Sequence, residues 1–359
     1  MSALARLGVI GVGLIGARHL SLIAAAERCE VVAVADPAPS VAPMVAHYGA
    51  RFYQNYSDLL SEESLDGVII ATPNALHAEV GIACAAAGLP MLVEKPLTDT
   101  LVAGRRLVEA AEAADVPLAV GHHRRFDPAI ERARVMIDEG RIGQLVAVHS
   151  LWALRKHAAY FEVDWRTRRA TGGGPGLINL IHDVDLMRHL CGDVDRVYAE
   201  LGREARGYEV EDTIAATLRF RSGVLGSVVV SDATPSPWGW EQGSGENPNV
   251  PETSLNAMRL LGTRGALALP NLELYRHVED SPSEWSATIV GEAIPHAPRA
   301  ALAAQLDHFV SVLRGEVQPR VSGRDGFASL ATTLAILSSG ERGEAVVPEP
   351  CDGEAGTIA

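Results

Sequence analysis

Ten residues near the start, Leu7-Gly8-Val9-Ile10-Gly11-Val12-Gly13-Leu14-Ile15-Gly16, constrain this chain more than any other stretch. A short apolar run enters Gly-x-Gly-x-x-Gly and continues into a helix-like segment, 17–26. A second apolar run, 31–35, ends at Asp36, which lies 20 residues after Gly16 (36 − 16). Strand, turn, helix, strand and acid in this order describe a dinucleotide-binding unit. Gly11 permits the tight turn, Gly13 lets the backbone approach a pyrophosphate, and Gly16 lets the helix pack closely on the strand. The amides of Leu14 and Ile15, at the helix start, then face the phosphates. Asp36 accepts hydrogen bonds from both ribose hydroxyls and repels a 2′-phosphate, so the expected cofactor is NAD.

The rest of the sequence bounds the setting. A chain of 359 residues suggests two domains. It is 47% hydrophobic but only 5% aromatic, a balance that suits an α/β protein. The formal charge of −14 repels phosphate backbones, which argues against nucleic acid as a partner. No apolar run reaches the length of a membrane span, and the N-terminus lacks a signal-peptide core, so a cytoplasmic protein without membrane association is expected. Cys29, Cys84, Cys191 and Cys351 are scattered without metal-ligand spacing, and no metal is expected.

Up to residue 122 the chain alternates short apolar runs (7–12, 30–35, 67–71, 90–93, 118–121) with helical stretches such as 75–87 and 101–114. This is the pattern of a parallel, doubly wound sheet. From 123 to 359 the reading changes. A helix at 128–140 precedes strand-like runs at 144–154, 196–201, 212–220, 224–231 and 254–261, joined closely enough for a mostly antiparallel open sheet. Two helices, 300–314 and 323–339, close the chain, and the tail after Pro348 is expected to be loose. The Gly- and Pro-rich segment 236–252 is long for a structureless loop and is a candidate lid or subunit contact.

In parallel sheets, ligands bind beyond the carboxyl ends of the strands. Thr72-Pro73-Asn74, with His77 a turn later, follows one such run. Glu94-Lys95-Pro96 follows the next, where Pro96 biases Lys95 toward extended backbone and aims it outward. A further motif runs from Gly172-Gly173-Gly174-Pro175-Gly176 through Asn179 and His182 to Asp185. Its glycines suit a loop pressed against a ligand. Asn179, His182 and Asp185 recur at a spacing of three and share a helical face, which makes His182 a candidate proton acceptor. Trp152, Trp165, Trp238 and Trp240 offer aromatic faces to a sugar ring as readily as to the core.

Together, GVIGVGLIGARH, ATPNALH, EKPL, GHHRRFDP, the Trp165-Arg166 pair before GGG, GGGPGLINLIHDVDL and SGRDGFASLATTLAIL resemble the Gfo/Idh/MocA oxidoreductases over nearly the whole chain. The resemblance implies an N-terminal Rossmann domain, a C-terminal α/β domain whose open sheet forms a homodimer or homotetramer, and a site between the domains. It matches Lys95 and His182 to the catalytic lysine and histidine. It brings Thr72, Pro73, Asn74, His77, Glu94, Trp165 and Arg166 to the cofactor, and His123, Arg124, Trp152 and Asn179 to the substrate. Inositol dehydrogenase-like members carry an Asp four residues before the histidine. That position is Ile178 here, so a Lys–Asp–His triad is not carried over, and inositol does not follow as the substrate.

The expected activity is NAD-dependent oxidation of a secondary alcohol on a sugar, polyol or cyclic diol. His182 takes the hydroxyl proton, and the Lys95 ammonium stabilises charge on the same oxygen. A dehydrogenase of an aromatic cis-dihydrodiol is the first rival, separated by a substrate panel. A non-catalytic NAD-binding sensor is the second, and NADH turnover with any carbonyl excludes it.

Overall fold

A computed structural model describes residues 3–278, 285–296 and 300–352. The chain divides into two compact units, 1–123 with 302–330, and 124–301 with 331–359.

The first unit is built on six parallel strands, β1 (Ala5–Ile10), β2 (Cys29–Ala35), β3 (Arg51–Tyr53), β4 (Gly67–Ile70), β5 (Met91–Val93) and β6 (Leu118–Val120), in the order β3-β2-β1-β4-β5-β6. Helices on both faces explain why the strands read as unbroken apolar runs, since β4 and β5 are buried at every position. The order reverses between β1 and β4, which places a crevice at their carboxyl ends. A single cut after residue 122 misses the return of 302–330 to this unit. Leu306, Phe309 and Val310 share a core cluster with Leu7, Val9, Leu20 and Ile23. The apolar face of the helix Ala301–Leu313 thus belongs to the first sheet.

The second unit carries eight strands: β7 (Leu145–Ala153), β8 (Val194–Gly202), β9 (Thr213–Phe220), β10 (Leu225–Ser231), β11 (Met258–Gly262), β12 (Ala266–Leu269), β13 (Glu273–His277) and β14 (Ile289–Ala293). Their order is β14-β13-β12-β11-β7-β10-β9-β8. Among the described residues of this unit only β7 and β10 pair in parallel. Alternation is clean in β9, where Ile214, Ala216, Leu218 and Phe220 are buried and the residues between them are not. The buried face packs on the helices Pro128–Asp138 and Ile181–Cys191 through Ile130, Ala133, Met136, Val184 and Met187. Asp127 starts the first of these helices by accepting the Ala129 amide at 2.8 Å, ahead of Pro128.

The strands β12, β13 and β14 escape the sequence reading because they are short and lack a sustained period. The segment 236–252 is not a structureless loop: it holds the short helix Trp240–Ser244 and is anchored internally. Most of the tail after Pro348, from 353 on, lies outside the described residues. Among the described residues no helix is long and apolar enough to cross a membrane.

Candidate active site

In the first unit, the glycine motif forms an open cradle. Gly11 has φ +92°, and a Cβ there would stand 2.7 Å from the Ala71 carbonyl. A Cβ on Gly16 would collide with the Gly11 carbonyl. A Cβ on Gly13, by contrast, would meet nothing within 4 Å, so the backbone there borders free space. Gly13 is extended and Leu14 opens the helix Leu14–Ala24, with its side chain largely exposed. Ile15 follows in the first turn. Asp36 faces this turn: its two oxygens accept the Val12 amide at 2.8 Å and the Ala38 amide at 2.9 Å. Each oxygen keeps a lone pair for a ribose hydroxyl. At the end of β4, the Thr72 hydroxyl is buried without a hydrogen-bond partner, while Pro73 is exposed and Asn74 half-buried. Space over Gly13, a carboxylate with open lone pairs and an unsatisfied hydroxyl on adjacent strand ends fit NAD.

Glu94 and Lys95 end β5, next to β4. Glu94 is buried, and His19 Nε2 stands 2.8 Å from its Oε1. Burial opposes the charged carboxyl. The hydrogen bond from His19 and the charges of His19, Lys95 and His123 outweigh it and hold the pKa at about 2. The Lys95 amide donates to the other carboxylate oxygen at 3.1 Å. Glu94 is therefore an anchor under Lys95, and Lys95 itself is half-buried at the strand end, as is His123. Sequence reasoning missed His19. Its signal was position: it lies three residues after Gly16 and shares the buried helix face of Gly16, Leu20 and Ile23.

His77 is corrected. Its ring is fully buried, with Nε2 2.9 Å from the Thr72 carbonyl and Nδ1 3.0 Å from that of Pro96. It ties the loop after β4 to the loop after β5 and is not available to a cofactor. Burial lowers its pKa despite the carbonyls.

In the second unit, Arg124 and Trp152 are also corrected. Arg124 is buried and donates to Glu246 at 2.8 Å and Glu241 at 2.9 Å, with Asp183 3.9 Å away. Its guanidinium lies over the Trp240 ring. Burial disfavours its charge, but the three carboxylates raise its pKa further. Trp152 is a core residue whose indole donates to Glu241 at 2.6 Å. Fully buried Trp240 donates to Glu246. Arg124 thus anchors 236–252 internally, while Trp238 remains exposed. Asp183 pairs with Ser150 at 2.6 Å, and burial pushes its pKa up to about 6 against the pull of Arg124 and Ser150.

The glycine run presses against protein. Gly174 has φ +87°, and a Cβ there would overlap the Glu211 carboxylate, which also accepts the Gly176 amide at 2.9 Å. A Cβ on Gly173 would lie 2.6 Å from the Trp165 carbonyl. Residues Gly176–Leu180 form one π-helical turn, which widens the spacing before the helix Ile181–Cys191. Asn179 is half-buried on this turn, and its carboxamide oxygen accepts from Lys156 Nζ at 2.7 Å. His182 is the second residue of the following helix, 7% exposed. Asp185, which the sequence spacing puts on one helical face with His182, accepts from Arg125 Nε at 2.8 Å and Nη2 at 2.7 Å. Trp165 is exposed. Arg166 lies over the Tyr160 ring and donates to the Tyr160 carbonyl at 2.7 Å.

Comparison with known proteins fits both units. Residues 5–122 match the oxidoreductase family model with an NAD-binding Rossmann fold, and residues 130–268 match the GFO/IDH/MocA C-terminal domain. The chain belongs to the GFO/IDH/MocA oxidoreductase family. It is 31% identical to the 1,5-anhydro-D-fructose reductase of Ensifer adhaerens over 80% of this chain and 81% of that one. It is 29% identical to the myo-inositol 2-dehydrogenase of Thermotoga maritima over 95% and 98%. The match to the rhizopine catabolism protein MocA of Rhizobium meliloti, 36% identical, spans 52% of this chain and 57% of that protein. Among solved structures, the WlbA dehydrogenase from Bordetella pertussis, in complex with NADH and UDP-GlcNAcA, superposes with a TM-score of 0.78. It is 28% identical and covers 97% of this chain and 99% of its own. This family member is an NAD-binding oxidoreductase with a Rossmann sheet and a mostly antiparallel second sheet.

Proposed function

We propose that this GFO/IDH/MocA protein oxidises a secondary alcohol of a sugar, polyol or related cyclic substrate with NAD, with Lys95 and His182 as its catalytic residues. One observation carries the reading. The neighbouring strands β1, β4 and β5 deliver the open cradle at Gly13, the Thr72-Pro73-Asn74 loop and Lys95 to the same carboxyl edge of one sheet. The relatives named for anhydrofructose and myo-inositol support a polyhydroxylated substrate.

NAD, when bound, supplies the hydride acceptor. Gly11, Gly13 and the amides of Leu14 and Ile15 hold its pyrophosphate, Asp36 its ribose, and Thr72, Pro73, Asn74, Trp165 and Arg166 complete its contacts. Lys95, anchored through Glu94, donates a hydrogen bond to the reacting oxygen and stabilises negative charge there. His182 accepts the hydroxyl proton as the C–H bond breaks. His123 and Asn179 bind further oxygens of the substrate. The test is NAD reduction with a panel of myo-inositol, D-glucose, other polyols and an aromatic cis-dihydrodiol. Turnover of the polyols is expected, and turnover of the dihydrodiol alone overturns the substrate class.

A homodimer or homotetramer, acting in the cytoplasm where the NAD pool lies, belongs to the same proposal. The second sheet packs helices on one face, while Leu225, Tyr198, Leu261 and Tyr275 are exposed. Light scattering at micromolar concentration should give a multiple of the chain mass, and a monomer contradicts it.

A further inference from the structure

The segment between β7 and the glycine run holds a polar cluster that the catalytic pair does not account for. Lys156 is mostly buried, with its side chain 10% exposed. Its ammonium lies 2.7 Å from Asn179 Oδ1, 3.3 Å from the Tyr160 hydroxyl and 4.0 Å from Asp232 Oδ2. It also sits 4.4 Å from the centre of the Tyr160 ring and 5.7 Å from that of Trp152. Asp232 is held separately by Arg206 Nε at 2.7 Å. A lysine boxed in this way has little rotamer freedom, so its contact with Asn179 is a fixed one.

That contact has a fixed polarity. An ammonium carries three donors and no acceptor, so the carboxamide must turn its oxygen toward Lys156. The amide NH2 then points away from the lysine. Held so, Asn179 accepts from Lys156 and presents its two N–H donors on the side away from it.

We propose that Lys156 is a positioning residue that fixes Asn179 as a donor, and that Asn179 thereby selects substrates carrying a second, acceptor oxygen beside the carbinol to be oxidised. The inference rests on the dehydrogenase reading above. The reacting hydroxyl must give up its proton to a base, so it is a donor at that step. A neighbouring hydroxyl, carbonyl or carboxylate oxygen is the group that an N–H donor can hold. Vicinal diols and 2-hydroxy carbonyl compounds fit, and an isolated secondary alcohol does not. Lys156 also makes Ile178 intelligible, since the hydrogen-bonding function on this turn falls to Asn179.

The experiment compares trans-1,2-cyclohexanediol, myo-inositol and cyclohexanol as substrates with NAD for the full-length wild type, Lys156→Met, Lys156→Arg, Asn179→Ala, Asn179→Asp and the Lys156→Met/Asn179→Ala double variant. For the two vicinal substrates, Lys156→Met and Asn179→Ala should each raise KM by about tenfold with kcat within about threefold. The double variant should be no worse than either single one, because the two residues act as a unit. Lys156→Arg should restore most of the loss. Asn179→Asp keeps a partner for Lys156 but loses both donors, and should match Asn179→Ala in KM while melting near wild type. Wild type should favour the diol over cyclohexanol, and Lys156→Met should narrow that preference. An unchanged KM in Lys156→Met, or KM effects that multiply in the double variant, overturns the proposal while leaving the dehydrogenase reading intact. Absence of wild-type NAD reduction with every one of these substrates overturns both.

Discussion

Glu94 offers the sharpest quantitative test of the site's foundation. Its carboxylate is buried against His19 and accepts the Lys95 amide, and its pKa is lowered from 4.5 to about 2. That lowering corresponds to about 3 kcal/mol favouring the ionised, folded form. The folded pKa lies below the unfolded one, so between pH 4.5 and 2 the unfolded chain binds more protons. This contribution is complete above pH 4.5 and is lost as pH falls toward 2. Glu94→Gln keeps the shape and removes the charge. Urea unfolding should place it about 3 kcal/mol below wild type at pH 7, with the gap closing as pH falls from 4.5 to 2. A gap that stays constant across this range, or a variant as stable as wild type at pH 7, refutes the reasoning: the His19–Glu94 contact would then carry no net electrostatic stabilisation.

Lys95→Ala and His182→Ala should each lower kcat by on the order of 10²-fold or more with little change in NAD affinity, read by steady-state kinetics and NADH fluorescence titration. For oxidation, the pH profile of kcat/KM should lose or shift its acid-side limb, where protonation of the base stops turnover, in His182→Ala, and an unchanged profile moves the base elsewhere. Wild type should prefer NAD to NADP in kcat/KM, and Asp36→Ala should shrink that ratio; a wild type that favours NADP contradicts the role of the carboxylate. Asp183 has the opposite linkage to Glu94. Its folded pKa is raised from 3.8 to about 6, so its contribution is intact below pH 3.8 and about 3 kcal/mol is lost as pH rises through 6. Asp183→Asn should flatten that decline in chemical unfolding between pH 4 and 7.

What the sequence made legible was local. Strand, turn and acid at the N-terminus lie within 30 residues (7–36), so one window reveals the cradle. Lys95 was readable because Pro96 and the end of an apolar run mark a strand terminus. His77 and Arg124 were misread for a common reason. Thr72 is near His77 in sequence, but the Pro96 carbonyl that completes the burial of His77, and the Glu241 and Glu246 that occupy Arg124, are distant, and no spacing announces them. Glu211 and Lys156 stayed hidden for the same reason, since each matters only through the glycine run or Asn179 that folding brings beside it. Periodicity found β9 and β10, which alternate over seven or more residues, and missed β12, whose four residues hold too little pattern.

The carboxylate of Asp36 is shared between recognition and architecture. Because each of its oxygens already holds a backbone amide, of Val12 and of Ala38, the residue that discriminates cofactors also fastens the turn that receives them. Redirecting the enzyme to a phosphorylated cofactor is therefore a two-part evolutionary problem. A cation must arrive to greet the 2′-phosphate, and a short polar side chain such as Ser or Asn must take over the orphaned amides. Variants that solve only the first part should gain the new cofactor at the expense of an unravelled entrance, so the accessible mutational path runs through position 36 as a polar residue and not through alanine.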